Sequence, residues 1–130
     1  MKQFLRSWHN GWFGWIGERA AARYLKKQGM RVLTRGFRTR WGEIDLIARD
    51  RDTLVFVEVK TRRRGEPAEA VTPEKQKRLT RAAFQFLRRH RLLEPSVPSR
   101  FDVVAIVWPD DRSKPRIQHI PNAFEAVSDC

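Results

Sequence analysis

The sequence predicts an α/β domain, on three observations. Residues 54–60 alternate, with Leu54, Phe56, Glu58 and Lys60 on one face and Val55, Val57 and Val59 on the other; both faces begin apolar, as in an interior strand. Thr72, Pro73 and Glu74 make a helix start, and Leu79, Ala82, Ala83, Phe86 and Leu87 follow as its buried stripe. Phe101 to Trp108 is a nearly unbroken apolar run, the mark of a strand covered on both sides. At 130 residues the chain is long enough for one domain with a real core and too short for two.

The chain divides into a basic, aromatic arm, residues 1–14, and a single domain, residues 15–130. The arm holds no unbroken apolar run and no small-residue cleavage site, so it does not read as a signal peptide or a membrane span. Trp8, Trp12, Phe13 and Trp15 beside Lys2 and Arg6 suit stacking on bases, and equally suit packing onto the domain or self-association. From about Trp15 to Lys27 the spacing is helical, with Ile16, Ala20 and Tyr24 on one stripe, Ala21 and Leu25 beside it, and Gly29 as the stop. Glu18 shares a face with Ala21, Ala22 and Leu25, so it either reaches into a site or complements the helix dipole from the first turn. Met30 to Arg38 reads as an edge strand in which Gly36 marks a bulge or bend.

The stretch from Gly42 to Arg64 carries the chemistry. Glu43, Asp45 and Ile47 share one face of a strand, and residues 50–53 make a turn into the strand of Glu58 and Lys60. With an even loop at residues 50–53, facing residue numbers sum to 103, which sets Asp45 opposite Glu58 and Glu43 opposite Lys60. Facing carboxylates repel unless a cation lies between them, and a hard divalent ion such as Mg2+ takes oxygen ligands. The competing structural reading makes Glu43 with Lys60, and Asp45 with a nearby arginine, plain salt bridges.

Arg62, Arg63 and Arg64 emerge from the charged end of that strand, where a phosphate backbone would lie. On the following helix, Gln76 points toward the sheet near the N-terminus, positioned to orient a phosphate or a water, while Lys75 lies on a neighbouring surface. Asp102 opens the last apolar strand in a structural role, anchoring Arg100 or an arginine after Lys60. A final short strand, Arg116 to Ile120, precedes a terminal segment.

Lys and Arg number 27 against 15 acids, a net charge of +12, which argues for a polyanionic partner, nucleic acid before an acidic membrane surface. The single cysteine, Cys130, excludes an intrachain disulfide and favours a reducing compartment, the cytoplasm.

Asp45 followed by Glu58-Val59-Lys60 resembles the core of the PD-(D/E)-x-K nuclease superfamily. More closely, Gly17-Glu18, GEIDLI at Gly42 to Ile47, FVEVKTR at Phe56 to Arg62, Lys75-Gln76 and RFDV at Arg100 to Val103 resemble, in order, the bacterial YraN family. That family is described as endonuclease-like and similar to Holliday-junction resolvases. The resemblance implies a restriction-endonuclease-like mixed β-sheet flanked by α-helices and metal-dependent hydrolysis of phosphodiester bonds. Asp45, Glu58 and the Val59 carbonyl would hold Mg2+ or Mn2+, with Lys60 beside the attacking water and Glu18 and Gln76 completing the shell. Arg40, Arg62, Arg63, Arg64 and Lys75 would grip nucleic acid, most readily DNA. With no base-reading motif in view, branched or flapped DNA is the expected substrate, and the resolvase analogy leaves room for a homodimer. A non-catalytic nucleic-acid-binding module with the same fold is the alternative.

Overall fold

The computed structural model describes residues 2–65, 70–93, 95, 97–109 and 114–127, with side chains from residue 14 onward. The elements are α1 (Lys2–Lys27), β1 (Arg31–Thr39), β2 (Gly42–Asp50), β3 (Thr53–Arg63), α2 (Pro73–Arg89), β4 (Ser99–Trp108) and β5 (Arg116–Phe124). The strands form one sheet in the order β1-β2-β3-β4-β5. Antiparallel pairs flank a parallel β3–β4 pair, whose crossover is α2. This is the mixed sheet flanked by helices that the sequence implies, an α/β fold consistent with a restriction-endonuclease-like arrangement.

The alternation of β3 divides the core. Val55 and Val57 pack with Ala21, Ala22 and Leu25 of α1 and with Leu46, Ala48, Val104 and Ile106. Leu54 and Phe56 pack with Leu79, Ala82, Ala83 and Phe86 of α2 and with Ile47 and Phe101. A central strand with a core on each face cannot shed its polar residues to solvent. The charged end of β3 is therefore held in place by apolar burial along the rest of its length.

Thr72 caps α2 by accepting a 3.1 Å hydrogen bond from the Lys75 amide, and Pro73 occupies the position that needs no N–H donor. Asp102 is fully buried and satisfied from several directions. Its carboxylate accepts from Arg100 Nε at 3.0 Å and the Asn122 amide at 2.9 Å, and it lies 2.7 Å from His119 Nε2. That is the structural role expected of Asp102, with Arg100 reaching on to Asp50 at 3.2 Å.

Several boundaries differ from the sequence reading. The first helix begins at Lys2, whereas the sequence spacing is helical only from about Trp15. Gly11 and Gly14 weaken its helical signal in the sequence; its side chains up to residue 13 lie outside the described residues. The register irregularity of β1 falls between Val32 and Thr34, and Gly36 contributes a positive φ of 72°. β3 runs on to Arg63, which puts Arg62 and Arg63 in the ladder with β4 and leaves only Arg64 in the turn. β5 continues through Pro121 to Phe124, which an edge strand permits because its outer side makes no ladder bonds.

Candidate functional site

The β2–β3 hairpin closes through Arg51 and Asp52, and facing residue numbers sum to 103 from Asp50–Thr53 to Leu46–Val57, as the sequence register requires. Beyond Leu46 the described ladder stops. Asp45 Oδ2 accepts a 2.7 Å hydrogen bond from the Val59 amide, so a side-chain carboxylate stands where a strand carbonyl would continue the pairing. Neither the Asp45–Glu58 nor the Glu43–Lys60 backbone pair is among the described ladder pairs, because β2 and β3 part at this point.

The parting coincides with a change of face on β2. Leu46 packs in the α1 core, whereas Ile44 packs in the α2 core together with Phe37, its partner on β1. Two residues that a regular strand would keep on one side thus serve opposite sides. Gly36, with its positive φ, lies in β1 between the partners of these residues, Arg35 and Phe37.

Acidic groups from three elements gather at this opening. One carboxylate oxygen from each of Glu18 of α1 and Glu43 and Asp45 of β2 lies within 4.8 Å of the others. Glu18 gets there because α1 approaches β3 closely at Gly17, where a Cβ would run into Thr61 Oγ1. Glu43 follows the β1–β2 turn, which Thr39 braces by accepting from the Trp41 amide at 3.1 Å and donating to the Gly42 carbonyl at 2.9 Å. Glu43 also bonds Arg38 at 3.4 Å.

Glu58 enters from the α2 side and is only 5% exposed. Its Oε1 pairs with the Lys75 ammonium at 2.7 Å, while its Oε2 is buried without a hydrogen-bond partner. Lys60, two residues on, lies within hydrogen-bonding reach of Lys75.

The electrostatics follow from this crowding. Burial, then the Glu58 charge and the Glu18 charge push the Asp45 carboxyl up to about 8 from an ordinary 3.8, against the opposing pull of the Val59 N–H and Lys75. Burial, Glu43 and Glu58 raise Glu18 as well, with Arg35 opposing. Burial pulls Lys75 down, but its bond to Glu58 and the charges of Glu58 and Asp45 outweigh that, and it is raised. A site that suppresses the ionisation of its own acids favours a positive ligand.

Glu18 and Asp45 are brought together in the acidic cluster, while Glu58 and Lys60 both approach Lys75. Gln76 donates its side-chain amide to the Val71 carbonyl at 2.9 Å and so ties α2 to the preceding loop. Val59 takes part through its amide, which holds Asp45. Lys75, assigned from the sequence to a nucleic-acid surface, reaches inward to Glu58. Glu43 escaped the sequence reading as a member of the cluster, although its spacing of two from Asp45 on a strand was the available signal.

Basic groups frame the opening. The Arg40 and Arg81 guanidiniums lie 4.7 and 4.5 Å from the Trp41 ring centroid. Arg63 and Arg64 are exposed and Arg62 is half-buried at the end of β3. Among the described residues no helix is long and apolar enough to cross a membrane.

The profile of the Uncharacterised protein family UPF0102 matches residues 17–106. The chain is 51% identical over 124 residues to a UPF0102 protein of Geobacter sulfurreducens, covering 92% of this chain and 93% of that protein. It is 48% identical over 116 residues to one from Trichlorobacter lovleyi, covering 86% and 89%. A relative from Rhodococcus opacus is 49% identical over 119 residues, covering 89% and 98%. The matched region takes in Gly17, Glu18, the whole hairpin, Lys75 and Asp102.

Proposed function

The chain belongs to the UPF0102 family, the YraN family its motifs resemble, and we propose that it is a divalent-cation-dependent nuclease acting on branched or flapped DNA. The observation that carries this reading is the buried, unpartnered Glu58 Oε2 beside the Glu18–Glu43–Asp45 cluster. Oxygen donors alone, with Asp45 and Glu18 raised by burial and by neighbouring acidic charge, suit Mg2+ or Mn2+ in preference to softer ions. Asp45 and Glu58 would hold the cation, with Glu18 and Glu43 as further donors. When bound, such an ion supplies Lewis acidity toward a phosphate oxygen.

The chain's own residues account for the rest. The Val59 amide fixes the Asp45 carboxylate, which reduces the reorganisation needed to accept a ligand. Lys60 and Lys75 place positive charge on the α2 side, where a phosphate gaining negative charge would be stabilised. Arg40, Arg62, Arg63 and Arg64 supply sequence-independent attraction for the sugar-phosphate backbone, in keeping with the net charge of +12. A cytoplasmic location suits this substrate and the single cysteine.

A second reading is a binding module that keeps the fold and does not cut. The observation that favours it is the Lys75–Glu58 pair, which already neutralises one acid. Incubation with branched, flapped, single-stranded and duplex DNA in Mg2+, Mn2+ and EDTA separates the two. Cleavage in metal, absent in chelator and absent from Asp45→Asn, supports the nuclease; binding without cleavage under every condition supports the module.

A further inference from the structure

Lys75 is placed unlike an ordinary surface lysine. Its side chain is 40% exposed, yet its ammonium lies 2.7 Å from an oxygen of a carboxylate that is 5% exposed. Only one Glu58 oxygen is engaged, and the other is buried without a partner. The Thr72 cap bonds the Lys75 amide and holds its backbone in the first turn of α2. Any movement is therefore confined to the flexible four-carbon stem, which has open solvent along part of its length.

We infer that Lys75 is a counter-ion latch: its ammonium balances Glu58 until a divalent cation enters, and then passes to a phosphate of the bound strand, so that cation and nucleic acid bind cooperatively. This rests on the nuclease reading of the site and adds a coupling that the reading does not require.

The physical case is one of competing charges. A cation accepted by the free Glu58 oxygen draws on the same delocalised carboxylate charge that holds Lys75. It also repels the ammonium directly. Loosening that 2.7 Å bond leaves the Lys75 ammonium without the carboxylate oxygen that balances it. A phosphodiester supplies that charge and hydrogen-bond acceptors together. Each ligand thereby prepares the site for the other, and the coupling is reciprocal.

The test compares the full-length wild type with Lys75→Met, Lys75→Gln and Lys75→Arg. Calorimetry reads Mn2+ affinity, and fluorescence anisotropy reads binding of a labelled flap DNA in EDTA and in Ca2+. Both neutral variants are expected to bind Mn2+ roughly ten- to a hundredfold more tightly, because a competing charge has gone. In them the gain in DNA affinity on adding Ca2+ should shrink toward onefold, while Lys75→Arg retains most of the wild-type gain. Wild-type uptake of Mn2+ with unchanged or weaker affinity in both neutral variants overturns the latch alone. So does an undiminished Ca2+ effect on DNA binding in them. A wild type that takes up no Mn2+ overturns the latch and the nuclease reading together.

Discussion

The Asp45 carboxylate accepts a 2.7 Å hydrogen bond from the Val59 amide and so takes over a position in the sheet that a backbone carbonyl would fill in a regular ladder. One oxygen of the acid is committed to structure, and the same carboxylate lies in the cluster with Glu18 and Glu43 and feels the Glu58 charge. The same contact that ends the β2–β3 pairing therefore aims the acid.

Replacing Asp45 by Asn retains an oxygen acceptor for Val59 and removes a charge that its neighbours oppose. The metal-free variant should be more stable than wild type at pH 8 by about 1–3 kcal/mol, read by urea unfolding in EDTA. Its affinity for Mn2+ should fall at least about tenfold, since each such factor is only about 1.4 kcal/mol of lost binding. If Asp45 were instead one half of an ordinary salt bridge, the substitution would lower stability.

Stability should also depend on pH in a defined sense. The folded Asp45 carboxyl keeps its proton up to about pH 8, whereas its ordinary value is 3.8. Between these values the folded chain binds more protons than the unfolded one, so stability falls as pH rises; above the folded value this contribution levels off. Urea midpoints of the wild type in EDTA should decline from pH 5 to pH 8 relative to those of Asp45→Asn. Parallel curves for the two proteins would contradict the assignment.

Gly17 lets α1 lie against β3 at Thr61 and so delivers Glu18. A methyl group there must displace the Thr61 hydroxyl or lift the helix, so Gly17→Ala should cost about 1–3 kcal/mol and weaken Mn2+ binding. Thr61→Ala removes the obstructing oxygen. The double variant should recover most of both losses, and a double-mutant cycle in stability and in Mn2+ affinity reads the coupling.

Asp102 provides the contrasting case of a buried acid that is satisfied by the protein itself, through Arg100, His119 and Asn122. Asp102→Ala should destabilise the fold by about 3–5 kcal/mol, because Arg100 loses its closest partner in a poorly solvated position. Mn2+ affinity of the folded fraction should stay within about twofold of wild type, which corresponds to less than 0.5 kcal/mol at the site. A large loss of cation binding would link the two acidic regions.

Much of this organisation was legible in the amino-acid order. The period of two in Leu54 to Lys60, the cap at Thr72 and the apolar run Phe101 to Trp108 each report a local physical preference, and each element formed as that preference requires. The register constant of 103 was likewise readable, because an even turn between two alternating strands fixes which residues face. Even the suspicion attached to Glu58 came from sequence, since a carboxylate at the end of an interior strand must find compensation.

What no local pattern could reveal was where the ladder stops and which distant groups meet there. Ile44 and Leu46 serve opposite cores although strand alternation alone would unite them. Glu43 joins Glu18 across 25 residues of chain, and Lys75 of α2 reaches Glu58 of β3. Periodicity records how each segment divides its own side chains between apolar and polar surroundings. The meeting of charges from α1, β2, β3 and α2 depends on how closely the helices pack on the sheet and where two strands part, and only the assembled fold decides that.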